Sequence, residues 1–169
     1  MFRIFLLKKK AMKTTARFEA AVKKLYTAYH ANTLHPEYCQ QCAVGTILDG
    51  TDAWKHLSDH HGSLRLNYVG TVHQQLGKRF NGYTPLELLQ IEAAFLRGCG
   101  YQLPIKHNHF SPTNRTDKAV LFDGLCATVQ LLSQLDGLQD AMDVSALLNS
   151  RSTISTPKSS KQTLRHGIK

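Results

Sequence analysis

Two cysteines and two histidines between residues 39 and 61 have the spacing of a metal site. In the stretch CQQCAVGTILDGTDAWKHLSDHH, Cys39 and Cys42 are separated by two residues and His56 and His60 by three, with thirteen residues between the two pairs. Two thiolates and two imidazoles satisfy the tetrahedral coordination that Zn²⁺ prefers, and sulfur ligands also accept iron. The spacing predicts a zinc site, or alternatively an iron site, formed by Cys39, Cys42, His56 and His60.

The local elements that we predict would position these four ligands. A Cys-x2-Cys pair at a turn or a helix start brings both thiolates to one point. His56 and His60 are four residues apart, so a helix over residues 52–60 would place both imidazoles on one face. The segment between the pairs lacks the two short strands of a DNA-reading zinc finger, with Trp54 expected in the core. We therefore expect a closed structural site without base readout.

Packing alone is a competing interpretation of the same cysteines. Cysteine is among the most buried residue types, so Cys39 and Cys42 would then be core residues and the histidines a solvated surface. Cys99 and Cys126 lie on predicted apolar helix faces and are assigned to the core. The four cysteines do not have the spacing of a plant-type ferredoxin, which argues against an iron–sulfur cluster.

Most of the remaining sequence has helical periodicity. Apolar residues from Phe18 to Tyr29 form a helical stripe that should end near residues 30–32. The sequence Thr84-Pro85-Leu86-Glu87 is a capping box that opens a second long helix, with Gly98 near its end, and Thr116-Asp117 opens a third that Gly137 ends. Shorter helices are predicted over residues 39–48, 52–60, 68–76 and 140–148, and residues 64–69 are alternatively a strand. The predicted fold is all-α, a single compact domain of six or seven helices.

The positive charge of the chain is confined to its two ends. The 169 residues carry 21 Lys and Arg against 12 Asp and Glu, a formal net charge of +9. Residues 1–11 contribute +4 and residues 151–169 contribute +5, so the segment between them is formally neutral. We expect residues 1–11 to be a disordered extension from an upstream start, with Met12 as the natural start. Residues 12–149 would form the helical domain, and residues 150–169 a disordered basic tail rich in Ser and Thr.

Several classes of function lack support in the sequence. The Gly-rich and nucleophile motifs of nucleotide-binding proteins and hydrolases are absent, so neither FAD nor NAD is expected as a cofactor. No apolar run approaches the ~20 residues of a membrane-spanning helix, and the cysteine usage without a secretory signal predicts a cytoplasmic protein. The sequence names no reaction, although His61 or His73 is a candidate general base.

Two functions that need no metal remain open beside the metal site. The first is a protein-interaction module that offers a groove on the helical bundle to a protein partner. The second is weak binding of nucleic acid through the basic tails, assisted by a small basic region beside Tyr68 and Phe80. That region consists of Lys55, Arg65, Lys78 and Arg79.

Five short segments of the chain resemble a family of small bacterial proteins. The segments are Leu25-Tyr26-x-Ala28-Tyr29-His30, Cys39-x-x-Cys42-Ala43-Val44-Gly45, Trp54-Lys55-His56, Asp59-x-His61-Gly62-Ser63 and Phe80-Asn81-Gly82-Tyr83-Thr84-Pro85-Leu86-Glu87. The resemblance covers about residues 12–148. Some members of the family carry the label of Na(+)-translocating NADH-quinone reductase, which implies the flavoprotein component of that enzyme, with a 2Fe–2S domain and a membrane anchor. Since the motifs of those domains are absent, the resemblance transfers no catalytic residue and implies at most an accessory role linked to electron transfer.

Overall fold

A computed structural model describes residues 14–106 and 111–138. These residues form five α-helices: α1 (Ala16–His30), α2 (Ala43–Ile47), α3 (Tyr68–Gln75), α4 (Pro85–Gly98) and α5 (Lys118–Leu135). A short 3-10 helix covers Lys55–Leu57. In this part of the chain the only β-type pairing is an isolated bridge between Phe80 and Tyr83. The predicted all-α class is confirmed, with slightly fewer helices than expected.

The three long helices begin where the sequence predicts. The Thr15 side chain accepts a hydrogen bond from the backbone N–H of Phe18, which caps α1. Thr84 and Glu87 form the complete capping box of α4, and the Asp117 side chain accepts from the N–H of Ala119 at the start of α5. Each cap satisfies a backbone donor that the first helical turn leaves unpaired.

The core lies between α4 and α5 and extends beneath α1 and α2. Glycines bring α4 and α5 close together, since a Cβ on Gly98 would lie 2.7 Å from the Cα of Gly124. Trp54, Tyr83, Phe95 and the surrounding aliphatic side chains are fully buried. Cys99 is buried in this core, as predicted, whereas Cys126 is half-buried and does not belong to the core cluster.

The predicted helix over residues 52–60 is wrong, since only Lys55–Leu57 is helical and the backbone is extended at Ser58. Asn67 explains this ending. Its side-chain amide donates to the carbonyl of His56 and its backbone N–H donates to the carbonyl of Leu57, so neither carbonyl is left for a continuing helix. His56 and His60 therefore do not share a helix face.

Residues 64–69 do not form the alternative strand, because Asn67 caps α3 instead. The helix predicted over residues 39–48 is limited to α2, because Cys42 is its N-cap. The predicted extension over residues 1–11, the helix over residues 140–148 and the tail over residues 150–169 lie outside the described residues. Among the helices of residues 14–106 and 111–138, none has the length and apolar character needed to cross a bilayer.

Candidate thiol, imidazole and carboxylate site

The four predicted metal ligands occupy different environments. Cys39 is half-buried and Cys42 is fully buried, whereas His56 and His60 are exposed. The Cys42 sulfur accepts a hydrogen bond from the N–H of Gly45, 3.5 Å away, and so caps α2. In the described ranges no group of three or more His, Cys, Asp or Glu side chains is arranged to hold a metal ion. The structure thus does not bring the four residues together, and the metal site itself stays a prediction.

His61, next to the predicted ligand His60, is the residue that Cys39 contacts. The Cys39 sulfur lies 3.3 Å from Nδ1 of His61, and Oε1 of Glu92 lies 2.6 Å from the same nitrogen. The other ring nitrogen, Nε2, is 2.8 Å from the carbonyl oxygen of Pro36. We call Cys39, His61 and Glu92 the central triad.

Glu92 is the member of the central triad that local spacing could not identify as a site residue. It lies in the middle of α4 and its side chain is completely buried. The sequence does contain a signal, because Glu92 falls four residues after Leu88 and three before Phe95, on the helix face that packs into the core. A carboxylate at such a position is rarely buried without a partner. The sequence identifies His61 only as a candidate general base.

The hydrogen bonds of His61 fix the positions of its protons. A carbonyl oxygen only accepts, so Nε2 carries a proton that it donates to Pro36. A distance of 2.6 Å between Nδ1 and Oε1 also requires a proton between these two atoms. The N–H of Gly62 donates to the same Oε1 at 3.2 Å, which favours an ionised carboxylate. The arrangement is therefore an imidazolium paired with a carboxylate.

The pKa of His61 agrees with this assignment. Burial lowers the pKa of the ring, but the hydrogen bond and negative charge of Glu92, assisted by the carbonyl of Pro36, raise it more. The net pKa lies above the ordinary value of 6.5. Since imidazolium and carboxylate compensate each other, the pair is neutral as a whole.

Both nearby thiols are poor nucleophiles in this environment. Burial raises the pKa of the Cys39 thiol, and the negative charge of Glu92 raises it further. Burial also raises the pKa of Cys42 far above its ordinary value. Nucleophilic catalysis requires the thiolate form, so these surroundings do not favour it. In these surroundings each thiol stays protonated unless another cation displaces the proton from its sulfur.

The Cys39 loop is held from two sides. Nε1 of Trp54 donates a hydrogen bond to the carbonyl oxygen of Cys39 at 3.2 Å. Gly45 lies so close beneath this loop that a Cβ would overlap the Cys39 carbonyl and lie 2.6 Å from that of Gln40. On its outer side, Cys39 borders a shallow surface recess of about 340 Å³ that also includes Glu37 and Asp52.

One acceptor in the site has no donor. Oε2 of Glu92 is buried and has no hydrogen-bond partner among the residues that the structure describes, whereas Oε1 receives both the His61 and the Gly62 bonds. A buried carboxylate oxygen without a donor is costly. The site thus has the capacity for one more proton or cation.

The small basic region predicted beside Tyr68 and Phe80 is largely engaged within the chain. Lys55 pairs with Asp52, Lys78 lies 5.1 Å from the centre of the Phe80 ring, and Arg79 donates to the carbonyl of Gly82. Binding of nucleic acid through this region gains no support from these contacts.

Comparisons with protein-family models, with curated proteins and with solved structures found no match to this chain, so the family resemblance stays a prediction.

Proposed function

We propose that this protein binds a divalent metal ion, zinc or iron, through Cys39, His61 and Glu92, which are not arranged to hold an ion as they stand and would have to separate to admit one. The observation that carries the proposal is the convergence of a thiol sulfur and a carboxylate oxygen on one imidazole nitrogen, at 3.3 and 2.6 Å. Sulfur, imidazole nitrogen and carboxylate oxygen are the three ligand types that zinc takes in proteins. Of the four ligands predicted from sequence this set keeps only Cys39, and His61 and Glu92 take the place of Cys42, His56 and His60.

The orientation of His61 supports this role. Metal-bound histidines usually donate their second ring N–H to a backbone carbonyl or a carboxylate, which fixes the ring. Here Nε2 donates to the carbonyl of Pro36, so Nδ1 is the nitrogen that faces the Cys39 sulfur and the Glu92 carboxylate.

Charge balance also supports a divalent ion. Metal binding would release two protons, one from the Cys39 thiol and one from between His61 and Glu92. A thiolate and a carboxylate then carry two negative charges, which a divalent cation neutralises within a largely buried site. Oε2 of Glu92, which has no donor in the metal-free arrangement, is available to the ion.

The metal-free and metal-bound arrangements must differ in one respect. In the metal-free protein the Nδ1–Oε1 distance of 2.6 Å is that of a hydrogen bond. Zinc bonds of about 2.0–2.3 Å hold ligand atoms further apart than this, so the ion would separate imidazole and carboxylate as it displaces their shared proton. Three protein ligands leave a fourth position for water or another donor.

Metal content of variants tests the proposal against the ligand set predicted from sequence. Untagged protein purified without chelator should contain about one metal ion per chain, measured by plasma mass spectrometry. Titration with Co²⁺ should produce the thiolate absorption band of a Cys-bound ion. Cys39→Ser, His61→Gln and Glu92→Gln should each weaken binding by at least about tenfold.

The matched controls are His56→Gln and His60→Gln, which should retain full metal content. Loss of metal in these two variants and not in His61→Gln would instead favour the set predicted from sequence, with Cys39 and Cys42. No stoichiometric metal in the unmodified protein, together with no Co²⁺ band, would contradict metal binding by either set.

A metal-free protein-interaction module is a second candidate, favoured by the exposed surface of α3. Tyr68 is 84% exposed and Leu76 is 77% exposed, at either end of this helix. Large apolar side chains grouped at a surface are typical of interaction sites. Equal thermal stability with and without chelator would favour this candidate, whereas stabilisation by a stoichiometric metal would favour the first. An accessory or regulatory role is compatible with both.

A further inference from the structure

A cavity of about 830 Å³ opens beside His61 and shares no lining residue with the surface recess at Cys39. Its walls come from residues 60–65 and residues 104–106. Apolar atoms form most of the wall, with Leu64, Pro104 and Ile105 as the main contributors. Its volume falls within the range of about 300–1,000 Å³ that is typical of small-molecule sites.

Gly62 does not line the cavity but packs against Ile105, which does. Its backbone has a positive φ of 76°, and a Cβ at this position would lie 2.8 Å from Cδ1 of Ile105. The absence of a side chain lets Ile105 pack directly against the backbone that also bonds Glu92. The cavity and the central triad therefore share His61, and Ile105 of the cavity wall packs against the backbone of Gly62.

The charged residues of the cavity have one sign. Arg65 and Lys106 are its exposed charged residues, and no acidic residue of the described segments lines it. Neither cation makes an ion pair in the part of the chain that the structure describes. Glu92, which accepts from the N–H of Gly62, is compensated by His61. An apolar interior with two cations at its edge is complementary to an amphipathic anion.

We propose that this cavity binds a small amphipathic carboxylate, such as a medium-chain fatty acid. The hydrocarbon chain would lie against Leu64, Pro104 and Ile105, and the carboxylate would pair with Arg65 and Lys106. This site does not depend on the proposed metal, although a bound ligand would contact the ring of His61.

The test is isothermal titration of the full chain with decanoate below its micelle concentration, with EDTA present to remove metal. Saturable binding at one site is expected. Decanol, with the same chain and no charge, should bind more weakly, and decyltrimethylammonium more weakly still. The double variant Arg65→Gln/Lys106→Gln should weaken decanoate binding by about tenfold and leave decanol unchanged. Ile105→Ser should weaken both ligands, and Lys23→Gln on α1 is the control that should change neither.

Equal binding of decanoate, decanol and decyltrimethylammonium would overturn the proposal, because it would indicate apolar adsorption without charge selection. The same holds if decanoate shows no saturable binding, or if the double variant binds it as well as the unmodified chain. Circular dichroism of each variant verifies that it is folded. Since EDTA is present throughout, decanoate binding succeeds or fails independently of the metal proposal.

Discussion

Glu92 is the residue on which the central triad depends most. Its carboxylate is completely buried in the middle of α4, where only His61 and the N–H of Gly62 compensate its charge. The desolvation of a buried carboxylate is costly unless charged or polar partners offset it. The imidazolium of His61 therefore stabilises the fold by compensating the charge of Glu92.

Glu92→Gln should lower the pKa of His61 in the metal-free protein. Burial alone lowers this pKa, and it is the contribution of Glu92 that reverses the direction. Without the carboxylate, we expect a His61 pKa lower than in the unmodified protein, measured by NMR titration of the His61 ring protons with EDTA present. Glu19→Gln, on an exposed position of α1, is the control that should leave the pKa of His61 unchanged. An unaltered His61 pKa in Glu92→Gln would contradict the assigned ion pair.

The same substitution should also reduce the change in the free energy of unfolding between acid and alkaline pH. A histidine whose pKa is raised by folding contributes stability that is fully present below its unfolded pKa and is lost as the pH rises through the folded pKa. Glu92→Gln should therefore lower the free energy of unfolding by about 1–3 kcal/mol at about pH 5.5 and by less at about pH 8.5. Urea unfolding at both pH values measures the difference, and an equal cost at both would contradict the linkage.

Gly45→Ala should be far more destabilising than Gly50→Ala. A Cβ on Gly45 would overlap the backbone of residues 39 and 40, which cannot move without displacing Cys39 from His61. Gly50 has a φ of +75° but open space around it, so its variant bears only the conformational cost of about 1–2 kcal/mol. We expect a loss of at least about 3 kcal/mol for Gly45→Ala in urea unfolding. Similar losses for the two variants would contradict this packing.

At the scale of helices, local sequence signals located the starts of the three long helices well and the end of the segment after Asp52 poorly. The caps at Thr15, Thr84 and Asp117 act within three residues of themselves, so the sequence alone could predict them. The end of the 3-10 helix at Leu57 depends on Asn67, ten residues later. Periodicity within residues 52–60 contains no information about that partner, which is why the predicted helix is too long.

The close contact of α4 and α5 predicts a large effect of a single methyl group. A Cβ on Gly124 would overlap the Cys99 sulfur and lie 3.0 Å from the Phe95 ring. Gly124→Ala should therefore lower stability by about 1–3 kcal/mol, despite the higher helix propensity of alanine. Gln130→Ala, at an exposed position of the same helix, should change stability little. Thermal unfolding distinguishes them, and a stabilised Gly124→Ala would contradict the contact.

Across the whole molecule, the central triad joins residues that no local rule connects. Cys39 and His61 are 22 residues apart, and His61 and Gly62 reach Glu92 about thirty residues later. The Cys-x2-Cys and His-x3-His spacing identifies the right segment, because Cys39 and His61 both lie there. It could not identify His61 as the histidine that contacts Cys39, since that contact depends on how residues 58–62 pack against α4.

Arg17 connects three long helices and the segment before α4. Its guanidinium pairs with Asp136 at 2.5 Å and Glu87 at 3.1 Å, and donates to the carbonyls of Gly82 and Leu135. The Asp136 side chain is only 1% exposed. Removing one partner of a buried pair leaves the other charge uncompensated, which costs far more than losing a surface pair.

Arg17→Met should therefore destabilise the protein by about 3–5 kcal/mol, because it keeps much of the apolar stem but leaves Asp136 buried without a cation. Adding Asp136→Asn to this variant should restore a large part of the loss, since the uncompensated charge is then removed. Lys55→Gln, which breaks an exposed pair with Asp52, should have no measurable effect. Urea unfolding of the unmodified chain and the three variants measures these differences. Equal stability of Arg17→Met and the double variant would show that Arg17 acts through packing and its bonds to carbonyls, and not through the buried carboxylate.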